Sequence, residues 1–409
     1  MKSSICILLH KLNLFKKKLD TRTYKWFKNL SNETLKDIAY PKNFIVILDN
    51  DNNFYIQDML IKALKNSHQK VIYNKTIEDD LTHFILKKSS ILSYIIEADA
   101  LILSVNINSL KKLKLKPTKY ILINDINRNY QYKTLDEETQ VESILNTLKP
   151  HNKLILNIDN PYVNYIKIKH PGESIGYGLK INSLTNNTPN IRCPFCDKLI
   201  NYKEVYFNIL GNYICKNKDF EIGIKSFEID TINLKDHTIK LDNNTYPLNT
   251  NYLYDVYFIE AFYVLANKLN INKELIYKSI LEFSNMPKKM EKYDKKLYLY
   301  NVQNADIIDY QKKIDYLKEK NEPVLIGFKN ILDNSNLTDI SWLYEIDFSG
   351  LNKIYIVYDE TDLIKTRLSL DNINYKIFNS FDNIKSNNIN ILMNKKDIKT
   401  LLKEHKWNQ

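Results

Sequence analysis

The stretch Phe44-Ile45-Val46-Ile47-Leu48, followed by Asp49-Asn50-Asp51-Asn52-Asn53, sets the fold class of this sequence. Five successive apolar residues without alternation predict a strand that is buried on both faces, as in a parallel sheet. Similar apolar runs recur at 71–73, 100–105, 120–126 and 154–158. Helical segments separate them, and short buried strands that alternate with helices predict an α/β fold built on a parallel sheet.

The chain divides into three predicted parts. Residues 1–37 form a basic arm with helical segments, 38–288 form a central domain of the P-loop type, and 289–409 form a smaller α/β domain. The last part repeats the alternating pattern, with predicted strands at 297–302, 324–328, 354–357, 375–378 and 389–392. Within the central domain, 231–248 predicts a β-hairpin whose turn is Asp242-Asn243-Asn244.

Three of the four cysteines lie in an insert at about 190–222. Cys193 and Cys196 have the Cys-x-x-Cys spacing of a metal-binding turn, and Cys215 begins a second turn. A zinc ribbon needs four ligands, because tetrahedral zinc is held by two such turns. The spacing places the fourth cysteine at position 218, which is Lys218. The sequence therefore predicts a ribbon-like hairpin with an incomplete zinc site.

Two interpretations of the incomplete site remain open. In the first, zinc is bound by three thiolates, and water or a neighbouring side chain such as Asp197 or Asp219 is the fourth ligand. In the second, the ribbon is eroded and its thiols are free, because losing one thiolate weakens metal binding.

The loop after the first strand lacks the residues of a phosphate site. In a doubly wound sheet this loop binds phosphate through glycines, a lysine and a serine or threonine that binds magnesium. Here it contains none of these and has the carboxylates Asp49 and Asp51. A calcium loop begins similarly, but it has Gly sixth and Glu twelfth, where this sequence has Phe54 and Leu60. A polar turn between strand and helix is the plainest interpretation.

The composition fits a cytoplasmic globular protein. The chain has 409 residues, 44% of them hydrophobic, and no apolar run approaches the roughly 20 residues of a membrane span. The net charge of +11 suggests a nucleic-acid partner or compositional drift. Basic and acidic residues are interleaved, whereas a nucleic-acid face clusters its charge, so the pattern favours compositional drift over a nucleic-acid partner.

Several segments, taken in order, resemble the MurT family, Mur ligase relatives that carry a zinc ribbon. The matching segments are Asn157-Ile158-Asp159-Asn160-Pro161, the cysteine insert, Tyr254-Asp255-Val256-Tyr257, Lys289-Met290-Glu291 and Asp339-Ile340-Ser341-Trp342-Leu343-Tyr344-Glu345-Ile346-Asp347-Phe348. The resemblance covers nearly the whole chain, and the last segment is the most specific. It implies a Mur-ligase-like central sheet, a ribbon-like insert and a smaller C-terminal α/β domain.

The resemblance also implies a ligase that uses ATP and magnesium, but the matching positions have changed. The lysine of the phosphate loop corresponds to Asn53 and the magnesium-binding threonine to Phe54. A metal-binding glutamate of the family corresponds to Ser104, and the pair Asp159 and Asn160 matches its Asp-Asp pair. Loss of the chemical residues within a retained frame predicts impaired ATP binding.

By the same resemblance, the partner is a GatD-like glutamine amidotransferase, which supplies ammonia to amidate the D-glutamate of lipid II. The implied role of Asp339 is to support the partner's catalytic site. Our first hypothesis is therefore a partner-binding MurT-like subunit that is a pseudoenzyme. The alternatives are an active ATP-dependent ligase with a rebuilt site, and a basic, ribbon-bearing protein that binds nucleic acid.

Overall fold

The structure is a computed structural model. It describes residues 2–12, 21–48, 54–76, 81–112, 118–126, 137–184, 189, 191–207, 209–248, 253–284, 291–292, 296–302, 307–327, 343, 346–359 and 362–405. Within these ranges the protein is a mixed α/β chain with a nine-stranded sheet, a six-stranded sheet and a two-stranded ribbon. No helix of the described ranges has the length and apolar character needed to cross a membrane.

The large sheet contains strands from both sides of the cysteine insert. Its strands are β1 (Asn43–Leu48), β2 (Val71–Tyr73), β3 (Ala100–Val105), β4 (Tyr120–Ile123), β5 (Leu154–Asn157), β6 (Ser174–Leu179), β9 (Phe227–Asn233), β10 (Thr238–Leu241) and β11 (Asn244–Pro247). Their spatial order is β11-β10-β9-β6-β5-β4-β1-β3-β2. All pairs from β2 to β9 are parallel, whereas β9, β10 and β11 pair antiparallel. The predicted parallel-dominated sheet is confirmed.

Helices cover this sheet. They are α1 (Lys2–Lys11), α2 (Thr21–Asp37), α3 (Tyr55–Asn66), α4 (Leu81–Lys88), α5 (Ile107–Lys112), α6 (Glu137–Thr147), α7 (Pro161–Lys169), α8 (Asp255–Lys268) and α9 (Lys273–Ser284). β3, β4 and β5 are buried along their whole length, which explains why the sequence shows continuous apolar runs rather than alternation. The most deeply buried helix is α8, in which every residue from Asp255 to Ala266 is buried.

The ribbon insert lies between β6 and β9 and consists of the antiparallel strands β7 (Ile200–Phe207) and β8 (Leu210–Cys215). The turn at Asp242 and Asn243 was predicted. Both residues have positive φ, 49° and 60°, as the tight hairpin turn between β10 and β11 requires. β6 was not predicted, because its two glycines interrupt the apolar pattern of Ser174–Leu179.

The smaller sheet follows the predicted pattern. Its strands are β12 (Glu291–Lys292), β13 (Leu297–Asn301), β14 (Val324–Gly327), β15 (Ile354–Val357), β16 (Tyr375–Ile377) and β17 (Ile389–Met393), in the spatial order β12-β13-β17-β14-β15-β16. The accompanying helices are α10 (Ile307–Lys320), α11 (Leu363–Leu370) and α12 (Lys395–Glu404). All five strands predicted in this part are present, and only the short β12 pairs antiparallel.

Candidate functional site

A buried polar network lies at the carboxyl ends of β4, β5 and β6, the edge at which parallel α/β sheets bind ligands. At its centre is Asp159, which lies two residues beyond the end of β5 and is fully buried. Its Oδ2 accepts hydrogen bonds from Tyr257 Oη and the backbone N–H of Leu179, both at 2.7 Å. Its Oδ1 lies 2.7 Å from Nζ of Lys225. Burial raises the pKa of Asp159, and the charge of Lys225 opposes that shift.

Glu260 of α8 is a second buried carboxyl in the network. Its Oε1 accepts a hydrogen bond from the backbone N–H of Gly178 at 3.2 Å. Within the described part of the chain its Oε2 has no hydrogen-bond partner. Burial, and then the negative charge of Asp159, raise the pKa of Glu260 well above its ordinary value. A side chain at Gly178 would collide with the Asp159 carboxylate, so glycine is needed at this close approach.

Asp125 and Asn160 form the second half of the network. Asn160 caps α7 by accepting from the backbone N–H groups of Tyr162 and Val163, at 2.9 and 3.3 Å. Its amide donates to Asp125 Oδ1 at 2.5 Å. The predicted pair Asp159 and Asn160 is therefore fully engaged inside the protein, with both side chains at 0% exposure.

Lys312 of α10 brings the smaller α/β unit to this edge. Its Nζ lies 3.8 Å from the ring centroid of Tyr254 and 4.6 Å from that of Phe258, both on or beside α8. Tyr254 Oη donates to Asp125 Oδ2 at 2.7 Å. Burial raises the pKa of Asp125, and its hydrogen bonds and the more distant Lys312 charge oppose the rise. A cation over these rings adds attraction beyond packing.

Ser104, near the end of β3, is hydrogen-bonded to other residues inside the protein. The Ser104 hydroxyl donates to Gln57 Oε1 at 2.5 Å, and Gln57 donates to the backbone carbonyl of Asn74 at 2.6 Å. Ser104 is fully buried. Phe54 precedes α3 with φ 52° and makes no side-chain cap. The remaining phosphate-loop position, Asn53, lies outside the described residues, as do the carboxylates Asp49 and Asp51 that precede it.

The cysteine insert brings four metal-ligand side chains together. The Sγ atoms of Cys193, Cys196 and Cys215 and a carboxylate oxygen of Asp219 all lie within 4.8 Å of one another. Cys196 Sγ is 3.3 Å from Cys215 Sγ and 3.5 Å from Asp219 Oδ1, and Cys193 Sγ is 3.8 Å from the same oxygen. Tetrahedral zinc with bonds of about 2.0–2.3 Å requires ligand separations of roughly 3.5–3.8 Å. These donors therefore suit a four-ligand zinc site.

The residue that completes the cluster is Asp219, one position beyond the expected Lys218. Lys218 has φ 60° and is exposed, and its N–H donates to the Cys215 carbonyl at 2.8 Å. Backbone N–H groups also donate to Sγ of Cys193 and of Cys215, each at 3.4 Å. The other carboxylate near the cysteines in sequence, Asp197, instead pairs with Arg192 at 3.0 Å.

The C-terminal motif is described only in part. Asp339, Ser341, Trp342 and Glu345 lie outside the described residues, so the role predicted for Asp339 remains a prediction. Asp347 is described, and its Oδ2 lies 3.0 Å from Nζ of Lys318. Phe348 is packed in the core of the smaller unit.

Comparison with solved structures identifies the fold. The chain has a Mur ligase-like fold: it superposes on a pseudomurein peptide ligase type C from Methanothermus fervidus with a TM-score of 0.67 and 16% identity, over 94% of this chain and 84% of that one. MurF from Acinetobacter baumannii gives 0.58 and 11% identity over 94% and 80%. MurF from Thermotoga maritima, in complex with ADP, gives 0.55 and 11% identity over 91% and 80%.

Among curated proteins, the chain is similar to the MurT subunit of lipid II isoglutaminyl synthase (glutamine-hydrolyzing) from Staphylococcus aureus strains COL and N315. Identity to each is 23% over 244 residues, which is 55% of this chain and 54% of the relative. The match therefore spans about half the length of these relatives. No protein-family model matches the chain.

The raised pKa of Glu260 predicts a specific dependence of stability on pH. A carboxyl whose folded pKa exceeds its unfolded value of about 4.5 keeps its proton longer in the folded state. The contribution of Glu260 to the free energy of unfolding is therefore fully present below pH 4.5. It is lost as pH rises towards the folded pKa, by up to about 1.4 kcal/mol per pH unit. Glu260→Gln is expected to remove this loss, as measured by urea unfolding between pH 5 and 8.

The matched control is Glu274→Gln, an exposed glutamate of α9. It is expected to keep the wild-type dependence on pH. An unchanged slope in Glu260→Gln would show that Glu260 carries no proton in the folded protein.

Proposed function

We propose that this chain is a MurT-like, partner-binding subunit of a complex that amidates a peptidoglycan precursor. The observation that carries the proposal is the joint likeness: the chain has a Mur ligase-like fold over 94% of its length, and a 244-residue match to MurT. The motif order found in the sequence supports the same relationship. The relative's name states a glutamine-hydrolysing synthase for lipid II, and we extend that substrate class to this chain.

The second part of the proposal is that this subunit has lost the chemistry that binds ATP and magnesium, so that activation of the carboxyl group by ATP comes from another component of the complex. Supporting this, the phosphate-loop sequence has no glycine, lysine, serine or threonine between Asp49 and Phe54. The hydroxyl of Ser104 is buried and bound to Gln57, so it does not face a nucleotide. Asp159 and Asn160 are likewise engaged inside the protein and are at 0% exposure.

The third part concerns zinc. The donors Cys193, Cys196, Cys215 and Asp219 fit a structural zinc ion in number, chemistry and spacing. Bound zinc would supply stability rather than chemistry, because four protein ligands leave no open position for a substrate. The ribbon has a small core of its own, so a metal at its tip would hold both cysteine turns together.

The ribbon also contacts the edge of the large sheet. Tyr213 Oη donates to the carbonyl of Ile158 at 3.0 Å, and the N–H of Gly211 donates to the carbonyl of Asp159 at 3.0 Å. A zinc ion that orders the ribbon would therefore also support the turn that carries Asp159. We assign the zinc a structural role, in which it stabilises the contact between the ribbon and this edge of the sheet.

The zinc assignment is tested with two aspartate variants. We expect about one zinc per purified chain, measured by elemental analysis. Asp219→Ala is expected to weaken zinc binding by roughly tenfold or more, in a chelator competition, and to lower the melting temperature, because one of four ligands is lost. Asp197→Ala is the control and is expected to bind zinc like the unmodified chain. Equal losses in both variants, or a zinc-free wild-type chain, would contradict the assignment.

The partner role is tested by co-expression with a glutamine amidotransferase from the same organism. We expect a complex in which Asp339→Asn lowers glutamine hydrolysis by on the order of a hundredfold or more, while the complex still forms, because an orienting carboxylate acts through the catalytic histidine. Asp382→Asn, an exposed aspartate of the same unit, is the control. The readouts are ammonia release and the mass of the complex.

Failure of the complex to form would contradict the partner role. Unchanged glutamine hydrolysis by an intact complex of the Asp339→Asn variant would support the partner role and contradict the role predicted for Asp339.

A further inference from the structure

The first helix is apolar on two opposite faces. Cys6 and Ile7 are fully buried, on the face that packs against α2 and α4. On the other side, Ile5, Leu8 and Leu12 are 48%, 43% and 57% exposed. An apolar face of a helix is usually buried against another element. The described part of the chain buries only the face of α1 that carries Cys6 and Ile7.

An exposed apolar stripe with a lysine on each side is formed by Ile5 and Leu8 of α1 and by Leu12, which directly follows the helix. At about 100° per residue, Ile5, Leu8 and Leu12 fall within an arc of roughly 60°. Lys2 lies about 60° beyond one edge of the arc and Lys11 about 60° beyond the other. Both lysines are exposed. This is the pattern of a helix that lies in an interface, with an apolar face bordered by basic residues.

The second helix runs antiparallel to the first. Ser3 Oγ donates to Asp37 Oδ2 at 2.8 Å, which joins the start of α1 to the end of α2. The His10 ring stacks on Phe27 with centroids 5.0 Å apart, so the end of α1 lies beside the first half of α2. The exposed groups at these two places therefore share one end of the helix pair.

The first half of α2 adds exposed aromatic and basic residues. Trp26 is 60% exposed and Tyr24 is 53% exposed. Lys25 and Lys28 beside them are also exposed. Trp and Tyr are the residues enriched where a protein meets the headgroup region of a membrane, because their rings are apolar with one polar atom. At about 100° per residue, Tyr24, Lys28 and Lys25 fall within an arc of roughly 100° on α2, whereas Trp26 lies about 160° from Tyr24 and outside this arc. We call Ile5, Leu8, Leu12, Tyr24 and the lysines at 2, 11, 25 and 28 the N-terminal patch.

Charge decides between a lipid surface and a protein partner. The two helices α1 and α2 contain six lysines or arginines and two acidic residues, Glu33 and Asp37. The basic residues are Lys2, Lys11, Arg22, Lys25, Lys28 and Lys36. Protein–protein interfaces are depleted in lysine, because burying its strongly hydrated ammonium is costly. Anionic lipid headgroups attract lysines that stay hydrated at the surface. The combination therefore favours a membrane over a protein.

We propose that the N-terminal patch docks the protein on the surface of an anionic bilayer, with the stripe formed by Ile5, Leu8 and Leu12 inserted among the headgroups. The docking is peripheral. It is inferred from exposure, spacing and charge, and it stands independently of the proposed function. For a subunit of a complex that amidates a lipid-linked precursor, such docking would bring that complex to the bilayer that holds the precursor.

The test is co-sedimentation of the full chain with vesicles of phosphatidylcholine, with and without about 30% phosphatidylglycerol. We expect binding to the anionic vesicles that weakens as salt is added. Ile5→Ser/Leu8→Ser/Leu12→Ser is expected to reduce it at least tenfold, because three apolar side chains leave the interface. Lys25→Gln/Lys28→Gln is expected to reduce it about thirtyfold, since each lysine near an anionic surface contributes about a factor of five.

The matched control is Leu92→Ser/Ile224→Ser/Leu234→Ser, which removes three apolar side chains that are 91%, 89% and 56% exposed elsewhere on the protein. It is expected to bind like the unmodified chain, and melting curves establish that every variant is folded. Absence of binding to anionic vesicles, or equal losses in both triple variants, would overturn the proposal. A wild-type dimer that the stripe variant converts to a monomer would also overturn it and assign the patch to a second copy of the chain.

Discussion

The structure depends on how one buried carboxylate, Asp159, is stabilised. An isolated ionised carboxylate is very costly to bury, so its partners must be held in place. They come from three parts of the chain: Leu179 at the end of β6, Lys225 before β9, and Tyr257 on α8. The ribbon adds the N–H of Gly211, which donates to the backbone carbonyl of Asp159. The hydrogen bonds and the ion pair of Asp159 therefore form only when the sheet, the ribbon and α8 are correctly assembled at the carboxyl ends of the strands.

A second buried carboxyl group, that of Glu260, makes this region sensitive to pH. It lies in the same buried region as Asp159, and two nearby carboxylates with a single ammonium, that of Lys225, favour one protonated group. Stability at this edge is therefore coupled to proton binding. The contact of Lys312 with Tyr254 brings the smaller unit to the same place, so both α/β units meet at the edge where this fold binds ligands.

Much of the fold could be predicted from the sequence, because buried parallel strands leave continuous apolar runs such as 44–48 and 120–123. β6 escaped prediction, since Gly176 and Gly178 serve close packing and weaken the apolar signal. Of the candidate site, the three cysteines were predictable from their spacing. Asp219 was only one of two nearby candidates for the fourth ligand. The positive φ of Lys218, in the turn before Asp219, could not be predicted from the spacing of the cysteines.

The buried network was largely missed. Asp159 and Asn160 were found as a motif, but their partners Lys225 and Asp125 come from distant segments whose meeting depends on the tertiary fold. One signal was available for Glu260: a single glutamate within the apolar run from Val256 to Ala266 of α8. A lone carboxylate on the buried part of a helix indicates either a site or a protonated group.

The central claim is that a Mur ligase-like frame is retained here while its phosphate chemistry is lost. Isothermal titration calorimetry of the full chain with ATP and magnesium tests it most directly. We expect no binding heat at millimolar nucleotide, because the loop lacks the glycines that let backbone N–H groups approach the phosphates, and the lysine and hydroxyl that bind phosphate and magnesium. A magnesium-dependent dissociation constant in the micromolar range would contradict it and favour an active ligase with a rebuilt site.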